Sequence, residues 1–292
     1  MLANRKKSYQ RALQVLCIGI SLASFPVMAL AEDLGQSFGG YNAAKKSVIL
    51  PSVMSTPGID VSKAFEFKGE DQRMLEQLNA AARLDVSKDP AKVMGIYDQI
   101  IAAYEQPYKN GKVKLYSARM PTEAMYYAVL ASKEGKDAKV ISSNLGYAYF
   151  QKGYALVDLG REEEAKVQLD HALALSPMNA QFLGEIASYY QRKKDWATEL
   201  SYHQKEEEAV KNNFSPSNTK NLELGHAWRG QGFVYTETNR LDEAEKMYRK
   251  CIELDRNDSR ARNELGYIAQ LRATGKKAPS VTVGGPYGMI GQ

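Results

Sequence analysis

From Val93 onward, apolar side chains recur every three or four residues: Val93, Ile96, Tyr97, Ile100, Ile101 and Tyr104. That period lines one face of a helix. Asp89-Pro90 just ahead supplies a capping side chain and then the residue that suits a first helical turn. Asp71 to Leu84 has the pattern of a partner helix, and Pro121 to Lys133, with Tyr126 and Tyr127, that of a third. Farther on, the same spacing is carried by smaller residues: Ala165, Leu169 and Ala172, then Ala244, Tyr248 and Cys251. Small side chains on such a face let two helices approach closely. Asp137 to Asn144 fits two readings, the second helix of one unit or a lengthened first helix of the next. Glu32 to Lys68 contains GG, LPS and TPG without a helical period, so it predicts an extended arm. The Gly/Pro-rich stretch from Lys276 to Gln292 predicts a mobile tail.

The small-residue faces belong to a repeat. At an offset of 79 residues, Leu145 to Leu175 lies over Leu224 to Leu254 without gaps. Leu145, Gly146, Ala148, Gly153, Glu164, Ala165 and Leu175 recur at Leu224, Gly225, Ala227, Gly232, Glu243, Ala244 and Leu254. Aromatics replace aromatics, Tyr149 by Trp228 and Tyr154 by Phe233, and Cys251 stands where Ala172 stood. Each copy predicts two helices. The first ends near Leu159 or Thr238, and the second begins near Glu162 or Leu241. Gly160 and Asn239 suit the turn between them, because both tolerate a positive φ. Ser176-Pro177 stops the first copy, since proline cannot continue a helix.

This spacing resembles the tetratricopeptide repeat, a helix–turn–helix unit of about 34 residues. The matching residues are Tyr149, Gly153, Gly160, Ala165, Leu169, Ala172 and Pro177, then Trp228, Gly232, Tyr235, Ala244, Tyr248 and Cys251. The resemblance covers about 146–179 and 225–258. The offset leaves room for one degenerate unit between them, about Ala180 to Asn213, in which Glu199 stands where a small residue is expected. Phe214 to Leu224, with SPSN, reads as a loop and a lengthened first helix, and Arg260 to Arg272 as a closing helix. The resemblance implies an all-α fold, a right-handed solenoid of helical hairpins. The expected organisation is a signal peptide (1–31), an extended N-terminal arm (32–68), a divergent helical region (69–136), the repeat domain (137–274) and a flexible tail (275–292).

Composition narrows the function. The chain has 292 residues, 44% hydrophobic, and a formal charge of +5. Four of its 39 basic residues, Arg5, Lys6, Lys7 and Arg11, precede the first acidic one, which leaves 35 against 34 acidic from Glu32 onward. So balanced a remainder lacks the clustered basic surface that nucleic acid needs. The basic start, the apolar run from Ala12 to Leu30 and the exit Ala29-Leu30-Ala31 have the layout of a secretory signal, predicting cleavage after Ala31, a periplasmic location and no stable membrane insertion afterward. Cys251 would then be the one cysteine left, a small buried residue on a helix face rather than a redox thiol.

Catalytic signatures are missing: no HExxH, GxSxG, P-loop or Cys–His motif occurs. Gly230-Gln231-Gly232 falls inside a repeat helix and reads as packing. Of three histidines, His203 lies four residues from Glu207, which could present both to a metal on one helix face. Two ligands rarely hold zinc, and Glu206 to Glu208 reads as a solvated face. No metal, cofactor or catalytic residue is therefore assigned. In the tetratricopeptide family, first-helix residues facing a concave groove contact a peptide or partner helix. Carried onto this sequence, those residues are Tyr147, Gln151 and Tyr154, then Gln181, Glu185, Ser188 and Arg192, then His226, Arg229 and Phe233, and Arg260, Asn263 and Tyr267 of the closing helix. For Tyr154 and Phe233, groove and helix–helix core remain equal alternatives. The expected role is a periplasmic scaffold or adaptor that binds another envelope protein or peptide segment. A chaperone-like holder of unfolded envelope proteins and a self-assembling subunit of an envelope complex are the other readings, and the tail VTVGGPYGMIGQ could fold back or cross to a neighbour to fill the groove.

Overall fold

The computed structural model describes residues 69–275, except Lys112 and Lys136. The leader, the arm and nearly all of the tail lie outside the described residues. These residues form two compact units, 69–176 with 212–214, and 177–211 with 215–275.

In the first unit, α1 (Gly69–Ala82) packs on α2 (Pro90–Glu105), and both pack on α4 (Asn144–Asp158). The capping signal is realised: the Asp89 side chain accepts from the Lys92 amide at 3.0 Å, and Pro90 opens α2. Between α2 and α4 comes a feature the helical period did not predict. Strand β1 (Lys114–Ala118) runs parallel to β2 (Ala138–Ser142), with Tyr116 opposite Val140, and α3 (Pro121–Lys133) makes the crossover. Residues 137–144, read above as helix, are thus largely strand. The reason lies in β2 itself, where Ala138, Val140 and Ser142 point inward and Lys139 and Ile141 do not. That is a period of two, over too few residues to outweigh the helical pattern on either side. Tyr116 stacks on Tyr127 with centroids 5.2 Å apart, fixing the strand to α3. Helix α4 then turns into α5 (Glu162–Leu175), so the first repeat copy folds together with the N-terminal helices.

The second unit is a run of helices: α6 (Ala180–Arg192), α7 (Trp196–Lys211), α8 (Lys220–Glu237), α9 (Leu241–Leu254) and α10 (Ser259–Thr274). Consecutive helices pack against each other from α6 to α10. Tyr235, Ala244, Met247, Tyr248, Cys251, Ala261 and Ile268 form a core across α8, α9 and α10, with Trp228 and Leu265 at its edge. Burial pushes the Cys251 thiol up to about 12, consistent with packing and not reactivity.

Three hairpins share one turn. Gly160, Lys194 and Asn239 take φ of 73°, 57° and 60°. After each, an amide reaches back five residues: Arg161 to Leu156 O at 2.9 Å, Asp195 to Tyr190 O at 3.0 Å, and Arg240 to Tyr235 O at 2.7 Å. This left-handed residue with its back-bond satisfies the orphan carbonyls of the first helix. Its recurrence makes α6–α7 a hairpin of the same kind as α4–α5 and α8–α9. The all-α repeat architecture therefore holds, with a two-stranded sheet added before it.

Candidate functional site

The groove candidates separate by burial. In the first unit, Tyr147 and Tyr154 are half-buried, and both meet Phe150 edge-on, at 6.1 and 4.8 Å. Gln151 is buried, and neither polar atom of its carboxamide has a hydrogen-bond partner among the described residues. In the second unit, Gln181, Glu185 and Ser188 are buried along α6, and Arg192 is half-buried at its end. Phe233 is half-buried and packs edge-on against Trp196 at 5.9 Å. Arg229 donates from Nη1 to Asp258 Oδ2 at 2.7 Å, and Asp258 also caps α10 through the Ala261 amide at 2.9 Å. Arg260 and Asn263 are exposed and Tyr267 is half-buried, a stripe one helical turn apart along α10.

His226 does not line an open face. It is 1% exposed and belongs to an interior cluster between α7 and α8. Its Nδ1 lies 2.6 Å from Glu206 Oε1, while His203 Nδ1 lies 2.9 Å from Glu206 Oε2, so one carboxyl joins two imidazoles. His203, Glu206 and Glu199 are all 0% exposed. The reading of Glu206 as solvated is thereby overturned. Helix α7 packs against α6 on one side and α8 on the other, which leaves only part of its circumference to water. Glu207, paired above with His203, faces elsewhere: it accepts from Trp228 Nε1 at 2.8 Å and Gln231 Nε2 at 2.6 Å. The inward partner of His203 is three residues on, not four, and the third member comes from the next helix.

Two glycines make room for the rings. A Cβ on Gly184 would meet His226 Cε1 at 2.8 Å, and one on Gly230 would meet His203 Nε2 at 2.2 Å. The electrostatics follow from burial. Burial pushes Glu206 well above its ordinary range, with Glu223 adding to the effect, and holds His226 well below its own. Burial likewise lowers His203 to about 3 and raises Glu199 to about 8. Neutral imidazoles around a proton-holding carboxyl are the result. In sequence, the one sign of this cluster was Glu199 at a position meant for a small residue.

Glu185 gives a pH prediction separate from the cluster. Burial raises its carboxyl from 4.5 to about 8, partly offset by Arg192. The unfolded chain releases this proton near 4.5, whereas the folded chain keeps it until about 8. Its contribution to stability is therefore complete below 4.5 and is lost as the pH rises to about 8. Glu185→Gln should remove that loss. Scanning calorimetry from pH 5 to pH 9 should show the melting temperature of the variant gaining several degrees on wild type toward the alkaline end. A constant difference across the range would contradict this account.

Comparison with known proteins bears on the hairpins. Residues 146–179 and 226–258 match the family model described as "Tetratricopeptide repeat". These segments fall on α4–α5 and α8–α9. No curated protein matches the chain. Tetratricopeptide repeats generally mediate protein–protein interaction, and proteins built from them are typically non-enzymatic scaffolds. Two matched copies, with a third hairpin closed by the same turn, identify a tetratricopeptide-repeat segment within this chain.

Proposed function

We propose that the protein is an exported scaffold whose repeat helices hold a segment of another envelope protein. The observation that carries the reading is the repeat itself. Stacked hairpins build an extended surface, which suits an extended polypeptide better than a small substrate. On α10, Arg260 and Asn263 offer donors to a carboxylate or peptide backbone, and Tyr267 adds aromatic contact area. The basic-then-apolar leader, ending in Ala29-Leu30-Ala31, supports export.

Arg229 is a poor probe of such a surface, because its ion pair with Asp258 ties α8 to the start of α10. Arg260 and Asn263 are better, being exposed. The test is crosslinked capture from separated envelope and cytoplasmic fractions, comparing wild type with Arg260→Glu combined with Asn263→Asp. One envelope protein should be captured by wild type and reduced at least tenfold with the variant. Equal capture by both would remove these residues from the binding surface. Capture from the cytoplasmic fraction alone would refute export.

A further inference from the structure

Each matched repeat turns three buried side chains from its second helix into the neighbouring helices: Ala165, Leu169 and Ala172 on α5, and Ala244, Tyr248 and Cys251 on α9. One repeat length beyond the first set, about 34 residues, the corresponding positions of α7 hold Glu199, His203 and Glu206. They are as fully buried as the residues they replace. Burying ionisable groups where hydrocarbon would do is costly, and helix packing alone has no need of them. We propose that His203, Glu206 and His226 bind one divalent transition-metal ion of the zinc class, which fastens α7 to α8.

The geometry suits such an ion. One donor atom from each residue lies within 4.8 Å of the other two. Zinc bonds of about 2.0–2.1 Å in a tetrahedral arrangement hold donors about 3.4 Å apart, so small side-chain rotations are enough. Two imidazoles and a carboxylate are a nitrogen-rich set, which favours zinc over calcium or magnesium. Two of the chain's three histidines meet here.

The surroundings of His203 provide an independent argument. Gly230 lies against the face of the His203 ring, and Nδ1 is the nitrogen turned to Glu206, at 2.9 Å, so an ion shared with Glu206 sits on Nδ1. Metal on Nδ1 puts the ring proton on Nε2. That nitrogen is 3.9 Å from Glu199 Oε1, and neither it nor Glu199 Oε2 has a hydrogen-bond partner among the described residues. A metal-bound His203 would present an N–H toward Glu199 Oε1, the outer-shell support that ligating histidines usually have. The residue that departs from the repeat pattern thereby acquires a role.

The test uses full-length protein stripped with chelator and titrated with zinc chloride, with bound metal counted by mass spectrometry after gel filtration. Wild type should retain one equivalent and melt about 5 °C or more higher than the stripped form. Glu206→Gln should retain none, whereas Glu207→Gln, altered on the neighbouring residue, should retain one. Failure of wild type to retain zinc overturns the proposal, as does equal retention by Glu206→Gln, which would put the ion elsewhere. If Glu206→Gln does not fold, cobalt(II) loaded into wild type decides. Intense visible absorption from four-coordinate cobalt supports the site, and the weak spectrum of the hydrated ion refutes it.

Discussion

Gly230→Ala is expected to destabilise the protein severely, although alanine is the better helix former. A Cβ at this position would lie 2.2 Å from Nε2 of His203 and 2.3 Å from Cδ2 and Cε1. The ring cannot simply swing aside, because its Nδ1 is held 2.9 Å from Glu206, which also binds His226. Either α7 moves off α8 or the buried network breaks. Overpacking of this kind costs about 1–3 kcal/mol, and an orphaned buried polar group roughly as much again. The helix propensity gained from Gly to Ala returns only about 1 kcal/mol. The net loss should be about 1–5 kcal/mol, measured by urea unfolding. Gly266 is the internal control: it lies in α10 with nothing within 4 Å of a built Cβ, so Gly266→Ala should be neutral or stabilising. If the two alanine variants prove equally stable, His203 is not wedged as described.

That comparison also shows what the sequence could and could not say. Gly230 was legible as a packing glycine, but not what packed on it, because its partner lies on another helix. The hairpins were legible almost to the residue: the second helices were expected from Glu162 and Leu241, where they begin. The signal was strong there because small residues, turn residues and spacing all recurred together. The middle hairpin was weaker for a chemical reason. Its inward face carries Glu199, His203 and Glu206, whose residue types imply water unless the neighbouring helices are known. Proximity along the chain suggested Glu207 as the partner of His203, but Glu206 is the one turned to His203 and His226, while Glu207 is taken by Trp228 and Gln231. The groove candidates met the same limit. Position within a first helix does not reveal whether another helix covers it, and α8, flanked by α7 and α9, encloses His226 while α10 leaves Arg260 and Asn263 in water. Strand β2 was missed because five residues carry too little periodicity to outvote flanking helices.

Arg119→Met should cost the first unit about 3–5 kcal/mol, the range for leaving one partner of a buried ion pair alone. Arg119 Nε donates to Glu123 Oε1 at 3.0 Å, and both side chains are almost wholly buried. The same guanidinium donates from Nη2 to the Phe214 carbonyl at 2.6 Å, so it ties the start of α3 to the 212–214 segment that returns to this unit. Glu123 is also engaged at its other oxygen, accepting the Arg119 amide at 2.5 Å just ahead of the helix. Loss of the arginine side chain therefore leaves a buried carboxylate with its backbone donor but without its cation, and strands a carbonyl as well. The double variant Arg119→Met with Glu123→Gln removes the uncompensated charge and should recover part of the loss. A double-mutant cycle followed by chemical unfolding measures that recovery. Additive losses would show that the pair's electrostatics contribute nothing, and that the arginine acts through its other contacts, the Phe214 carbonyl among them.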